Sequence, residues 1–175
     1  MKDMYLKSNS ELIAILEESL IGSEVEKADV IREVANRLMD IPNRKISTIT
    51  SSRDVYDYAR PVLCNKEKKY FAIIVLDVEN HILAMPIISI GSLTTSIVSP
   101  REVFREILKY PASAFIMVSS HPSGNSKPSE SDIRITKQLK SAAKMMDILA
   151  LDHIIIGRGQ YNSLKDMGLM NFTDN

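Results

Sequence analysis

The stretch from Ala114 to Asp132 constrains the fold of this 175-residue chain more than any other part of it. It begins with an uncharged apolar run, Ala114 to Val118, whose length and composition predict a buried strand. A loop rich in proline, serine, glycine and asparagine follows, and it ends at Ser129, where a long helical pattern begins. Polar residues between a buried strand and a helix N-terminus often form the sites of α/β proteins.

The polar residues at this strand end have a spacing that suits a metal site. Ser119 and His121 are two residues apart, so their side chains point to the same side of an extended chain. Asp132 lies in the first turn of the predicted helix, from which its carboxylate can reach that side. Catalytic zinc sites use three protein ligands and a water molecule. Two histidines and this carboxylate would supply the three ligands, but here the first of the pair is a serine.

The residues around this loop resemble a known family. The run His121 to Gly124 (His-Pro-Ser-Gly), followed by Ser129 and Asp132, resembles the JAMM (MPN-type) zinc metallopeptidase motif in the form found in the RadC family. That family consists of bacterial proteins named as DNA repair proteins. Further runs extend the resemblance over about residues 50 to 175: Ser99 to Phe104, Leu151 to Gly157 and Tyr161 to Leu164.

The resemblance implies a zinc-dependent hydrolase of peptide bonds. In it, His121 and Asp132 would bind the zinc ion, and Ser129 would help to stabilise the tetrahedral intermediate. Two residues of the motif are missing from this chain. Ser119 stands at the position of the first histidine ligand, and the run Met85 to Ile87, where the resemblance places the glutamate that serves as general base, contains no carboxylate.

The order of the apolar patterns predicts the fold class. Strand and helix patterns alternate after residue 70 and begin with a predicted hairpin, which indicates an α/β domain with a mixed β-sheet flanked by helices. The resemblance implies the JAMM/MPN-like arrangement of three layers, similar to that of cytidine deaminases. Pro86 predicts an edge or a bulge in the second strand. Two capping boxes predict short helices within residues 8–40, so we expect an N-terminal helical segment, residues 1–50, before a RadC-like domain, residues 51–175.

Composition narrows the classes of partner. The 22 Lys and Arg residues balance the 22 Asp and Glu residues, and residues 40–50 contain no glycine-rich hairpin of the kind that binds a DNA backbone, so nucleic acid is not the expected partner. The charged run Lys66 to Lys69 is predicted to be a solvated turn. A single cysteine, Cys64, excludes a disulfide within the chain and suits a reducing cytoplasm. No stretch approaches the roughly 18 apolar residues that a membrane span needs.

Three hypotheses about function follow. The leading one is a RadC-like JAMM-fold protein with a degenerate zinc site, acting as a binding or scaffolding module for an unidentified protein or peptide. The alternative is an active zinc hydrolase in which His121 and Asp132 are joined by a ligand from elsewhere, such as His153 or a partner subunit. The favoured role for His153 is nevertheless that of a hydrogen-bonded histidine in a strand. The third hypothesis, an accessory DNA-repair protein, depends on the family name alone.

Overall fold

The computed structural model describes residues 47–63, 67–91 and 98–172. These residues form one mixed β-sheet and three α-helices, so the predicted fold class is confirmed. The strands are β1 (Tyr70–Leu76), β2 (Ile82–Ala84), β3 (Ile87–Ile90), β4 (Ala114–Ser120), β5 (Leu149–Ile156) and β6 (Tyr161–Ser163). The helices are α1 (Ser52–Leu63), α2 (Pro100–Ile107) and α3 (Glu130–Met145).

The sheet is arranged around β4. Its strand order is β2-β1-β4-β5-β6, and β3 also pairs with β1, beside β2. The strand β4 runs antiparallel to β1 and parallel to β5, and α3 makes the crossover between β4 and β5. All seven residues of β4 are buried, as expected for a strand that is paired on both sides and covered on both faces.

Apolar side chains of β1 alternate between two cores, one on each face of the sheet. Phe71 and Ile73 belong to a core with residues of α2 and α3, whereas Ala72 and Ile74 belong to a core with residues of α1. The helices therefore form outer layers on opposite faces of the sheet, which gives the three layers that the resemblance implied. Alternation of this kind follows from the two-residue period of a strand.

The predicted second strand, residues 82–90, is divided in two at Pro86. Its two parts, β2 and β3, both pair with β1, and the Pro86 carbonyl accepts a hydrogen bond from the Ile73 N–H at 3.1 Å. Proline has no N–H to contribute to a ladder, so it belongs at an edge or an irregularity. The predicted bulge or edge at Pro86 is confirmed.

The helical N-terminal segment predicted for residues 1–50 lies almost entirely outside the described residues, and the boundary near residue 50 stays a prediction. At the start of the described chain, Ile49 N–H donates to the Asn80 carbonyl, and Ser47 accepts from Ile82 N–H, beside the β1–β2 turn. Within the described ranges, no helix has the length and apolarity needed to cross a bilayer.

Candidate functional site

The predicted site residues come together where β4 ends and α3 begins. His121 follows the last residue of β4, and its Nε2 atom lies 3.1 Å from Oδ2 of Asp132. The Ser129 hydroxyl donates to the same oxygen at 2.5 Å. Ser129 and Asp132 also form a capping box, in which each side chain contacts the backbone N–H of the other residue. A single geometry thus places the three motif residues that this chain retains together while also starting the helix.

The loop that carries His121 is fixed against the turn between β5 and β6. The Gly124 carbonyl accepts from Arg158 N–H at 2.9 Å, and the Asn162 side-chain amide donates to the carbonyl and hydroxyl oxygens of Ser126. A Cβ atom at Gly157 would lie only 2.4 Å from the Gly124 carbonyl oxygen, so this contact requires glycine. The loop is therefore held by packing and hydrogen bonds on the side of β5 and β6.

Asp132 is fully buried, yet four donor groups surround its carboxylate. Oδ1 accepts from the Lys69 ammonium at 2.8 Å, and Oδ2 accepts from the backbone N–H of Ser129 at 2.8 Å in addition to the two side-chain contacts described above. Burial alone raises the pKa of Asp132, but hydrogen bonds from His121, Lys69 and Ser129 outweigh it and hold the pKa well below its usual range. The carboxylate is therefore ionised and has its acceptor positions in use.

The predicted solvated turn at Lys66 to Lys69 is wrong for Lys69. Its side chain is 16% exposed and reaches across to Asp132, whereas the neighbouring Lys68 is exposed. The position of Lys69 explains the difference, because it immediately precedes β1, and Tyr70 at the start of β1 pairs with Ser120 at the end of β4. Knowledge that β1 and β4 are antiparallel neighbours would have placed Lys69 beside the site, but the sequence left the strand order open.

Ser119 belongs to a second, fully buried network behind the site. Its hydroxyl lies 2.9 Å from Nε2 of His153, and Nδ1 of His153 lies 2.7 Å from the hydroxyl of Thr136. The Thr136 hydroxyl donates its proton to the Asp132 carbonyl at 2.6 Å, so it must accept from His153. We therefore place the ring proton of His153 on Nδ1, which leaves Nε2 to accept from the Ser119 hydroxyl. The histidine is neutral in this arrangement and both of its nitrogens have partners.

Burial dominates the electrostatics of His153. It lowers the pKa of this histidine to about 4, although the nearby charge of Asp132 acts in the opposite direction. The favoured prediction for His153, a hydrogen-bonded histidine in a strand, agrees with this environment. A role as zinc ligand would require the ring to release Ser119 or Thr136.

Ser119→Ala should lower the free energy of unfolding by about 1–3 kcal/mol, because it leaves the buried Nε2 atom of His153 without a donor. Urea unfolding followed by circular dichroism measures the change. The control is Ser141→Ala, which removes an exposed hydroxyl on α3 that donates to the Lys137 carbonyl and should change stability by less than about 0.5 kcal/mol. Equal effects of the two substitutions would contradict the role assigned to Ser119.

The side chains around the site do not fit a zinc ion as it is held in catalytic sites. Of the described side chains between the end of β4 and the start of α3, His121 and Asp132 are of zinc-binding types, and no group of three histidine, cysteine or acidic residues suited to a metal occurs in the described ranges. Both ring nitrogens of His121 face acceptors, since Nδ1 lies 2.9 Å from the Asn125 carbonyl oxygen. The Lys69 ammonium on Asp132 adds a positive charge where a cation would approach.

The proposed location of a general base also carries no such group. Met85 and Pro86 lie between β2 and β3, and the backbone of Pro86 is paired with β1 through Ile73. The side chain that reaches Asp132 from outside the loop and α3 is instead that of Lys69. The run Met85 to Ile87 contains no carboxylate in the sequence, but the sequence did not predict that Lys69 contacts the site.

The three-layer domain, with its motif residues at the junction of β4 and α3, defines the class of JAMM/MPN-like domains. Comparison with known proteins gives the family: residues 49–169 match the RadC-like JAB domain, and the chain belongs to that family. The recognition made from the sequence is confirmed at the level of the family.

Several relatives share substantial identity with this chain. A UPF0758 protein of Methanosarcina mazei is 45% identical over 141 residues, which are 79% of this chain and 60% of the relative. A UPF0758 protein of Caldanaerobacter subterraneus subsp. tengcongensis is 38% identical over 167 residues, which are 87% of this chain and 72% of the relative. One from Alkaliphilus metalliredigens is 47% identical over 122 residues, 70% of this chain and 53% of the relative. The match to the Methanosarcina protein thus spans less than two thirds of that protein.

Proposed function

We propose that this RadC-like domain is a binding module with a degenerate zinc site and that it does not hydrolyse peptide bonds. The observation that carries the proposal is the state of the Asp132 carboxylate, which is buried and engaged by Lys69, His121 and Ser129. A carboxylate held in this way is poorly available as a metal ligand. The missing first histidine supports the same conclusion, because Ser119 is bonded to His153 inside the core.

For a metallopeptidase, the absence of both the first histidine ligand and the general base would be severe. A catalytic zinc ion would supply a bound water with a pKa near neutral and would polarise the peptide carbonyl. A general base that takes the proton from that water contributes about 10²–10⁴-fold to the rate. A neutral serine hydroxyl is a poor zinc ligand, and the described part of the site offers neither a third ligand nor a free carboxylate. What the domain retains is a hydrogen-bonded polar cluster between the end of β4 and the start of α3.

The partner that we propose is a protein or peptide in the cytoplasm. Equal numbers of acidic and basic residues give the chain no net charge to attract a nucleic-acid backbone. The family resemblance supports a polypeptide ligand, because a degenerate metallopeptidase site can keep the surface that held a peptide while losing the groups that cut it. Salt-sensitive DNA binding with a dissociation constant below about a micromolar at physiological salt would overturn this choice.

We expect the purified 175-residue chain to retain less than about 0.1 zinc per molecule after incubation with excess zinc and desalting, because two ligands do not form a closed or catalytic zinc site. Elemental mass spectrometry measures the zinc content. The same preparation should not cleave peptide or isopeptide substrates with or without zinc. Near-stoichiometric zinc that is lost in His121→Ala, together with cleavage that a chelator abolishes, would establish the alternative, an active zinc hydrolase.

A further inference from the structure

Lys69 is placed at the site by the backbone around it. The residue that follows it, Tyr70, donates its N–H to the Ser120 hydroxyl at 3.0 Å, and the Lys69 carbonyl accepts from Gly91 N–H at 2.7 Å. These bonds join the start of β1 to the end of β4 and to the end of β3. Hydrogen bonds therefore fix the backbone on both sides of the Lys69 side chain, and the Lys69 ammonium lies 2.8 Å from Oδ1 of Asp132.

The Asp132 carboxylate needs a positive charge in this position. Asp132 has no exposed surface, and an ionised carboxylate taken out of water is strongly unfavourable unless it is paired and hydrogen-bonded. At a metal centre the metal ion supplies the compensating charge. Here the ammonium of Lys69 makes the contact, and the Lys69 side chain as a whole is only 16% exposed. The residue before β1 thus brings a cation to Oδ1, the Asp132 oxygen that takes no part in the capping box of α3.

We infer that the Lys69 ammonium is a tethered cation that takes the place of a divalent metal ion on Asp132 and makes the site independent of metal. The inference extends the proposed function, on which it depends, by assigning the replacement for the ion to one residue of this chain. Lysine is suited to this role because its ammonium is a compact charge with three donors on a flexible stem. His121 contacts the other carboxylate oxygen, Oδ2, so both oxygens of Asp132 have partners.

The inference predicts that removing this ammonium uncovers a zinc-responsive site. In the 175-residue chain, Lys69→Met should lower the midpoint of thermal unfolding by about 5 °C or more in the presence of a chelator, because Asp132 loses its cationic partner. Added zinc chloride should restore several degrees, since His121 and Asp132 then become available to the ion. Zinc affinity measured by equilibrium dialysis with elemental mass spectrometry should rise at least about tenfold over the wild type, a change of about 1.4 kcal/mol.

Three further variants serve as controls. Lys68→Met removes the exposed neighbouring ammonium and should leave both the midpoint and the zinc response unchanged. Adding His121→Ala to Lys69→Met should abolish the zinc response. Lys69→Gln keeps a hydrogen-bond donor without the charge, so it provides the same comparison with a better chance of folding if Lys69→Met does not fold.

The possible outcomes separate this inference from the proposed function. The inference is supported if the Lys69 variants lose stability that zinc restores, while the stability of the wild type changes with neither zinc nor chelator. An inert wild type with Lys69 variants that show no zinc response would reduce Lys69 to a structural ion pair and overturn the inference alone. A wild type that binds zinc stoichiometrically and cleaves peptides would overturn the proposed function and the inference together.

Discussion

Asp132→Ala should lower the free energy of unfolding by about 3–5 kcal/mol. The substitution removes the ion-pair partner of Lys69, whose side chain is largely buried, and leaves its charge uncompensated. It also removes one half of the capping box of α3, because the Asp132 carboxylate accepts from Ser129 N–H. Both losses act at one residue because the site and the helix N-terminus share the same carboxylate.

Urea unfolding at neutral pH, followed by circular dichroism, measures this loss. Glu130→Ala is the matched control, because Glu130 is an exposed acidic residue in the first turn of the same helix and should contribute less than about 0.5 kcal/mol. If the two variants were equally stable, the buried cluster would not be the source of the effect. A loss in Asp132→Ala that matched only the cost of a helix cap, about 1 kcal/mol, would contradict the role of the ion pair.

The domain should lose about 3 kcal/mol of stability as the pH falls from about 6.5 to about 4, because of His153. In the unfolded chain this histidine takes up a proton near pH 6.5, whereas in the folded protein its pKa is about 4. The unfolded state therefore binds more protons between these values, and stability rises with pH across that window. Urea unfolding at a series of pH values measures the slope.

A comparison with His153→Gln isolates this contribution, because the variant has no group that titrates at this position. Its stability should depend much less on pH between 6.5 and 4 than that of the wild type. Carboxylates also titrate at the acidic end of this window. The lowered pKa values of Asp132, Asp54 and Asp77 add losses of stability below about pH 4, whereas burial raises the pKa of Asp152, which acts in the opposite direction just above that pH. Identical pH profiles for the two proteins would show that His153 is not the responsible group.

The elements of the fold could be predicted from local sequence patterns because their causes are local. The apolar run of β4, the cap of α3 at Ser129 and the break at Pro86 depend on residues within a few positions of one another, and the structure has each of them. The family resemblance added the three-layer arrangement. Strand order could not be deduced, because it depends on which strands pair across long separations in the chain.

The site was only half predictable for the same reason. The grouping of His121 with Ser129 and Asp132 follows from a motif of 12 consecutive residues, and the structure brings these three together. Lys69 is 63 positions from Asp132, and no spacing rule connects the two. His153 was predicted as a hydrogen-bonded histidine in a strand, but its partners Ser119 and Thr136 lie on other elements and became evident only in the structure.

The antiparallel pairing of β1 with β4 has a consequence for how the domain can be divided. The site draws one charge from Lys69, just before β1, and the other from Asp132 at the start of α3, and among the described elements four strands (β1 to β4) and helix α2 lie between them in the chain. A fragment that begins after Lys69 or ends before Asp132 would keep many of the secondary-structure elements but would contain only half of the ion pair. The cluster is therefore a property of the whole domain, and any truncation or domain fusion that aims to preserve it must keep the segment from Lys69 to the end of the sheet intact.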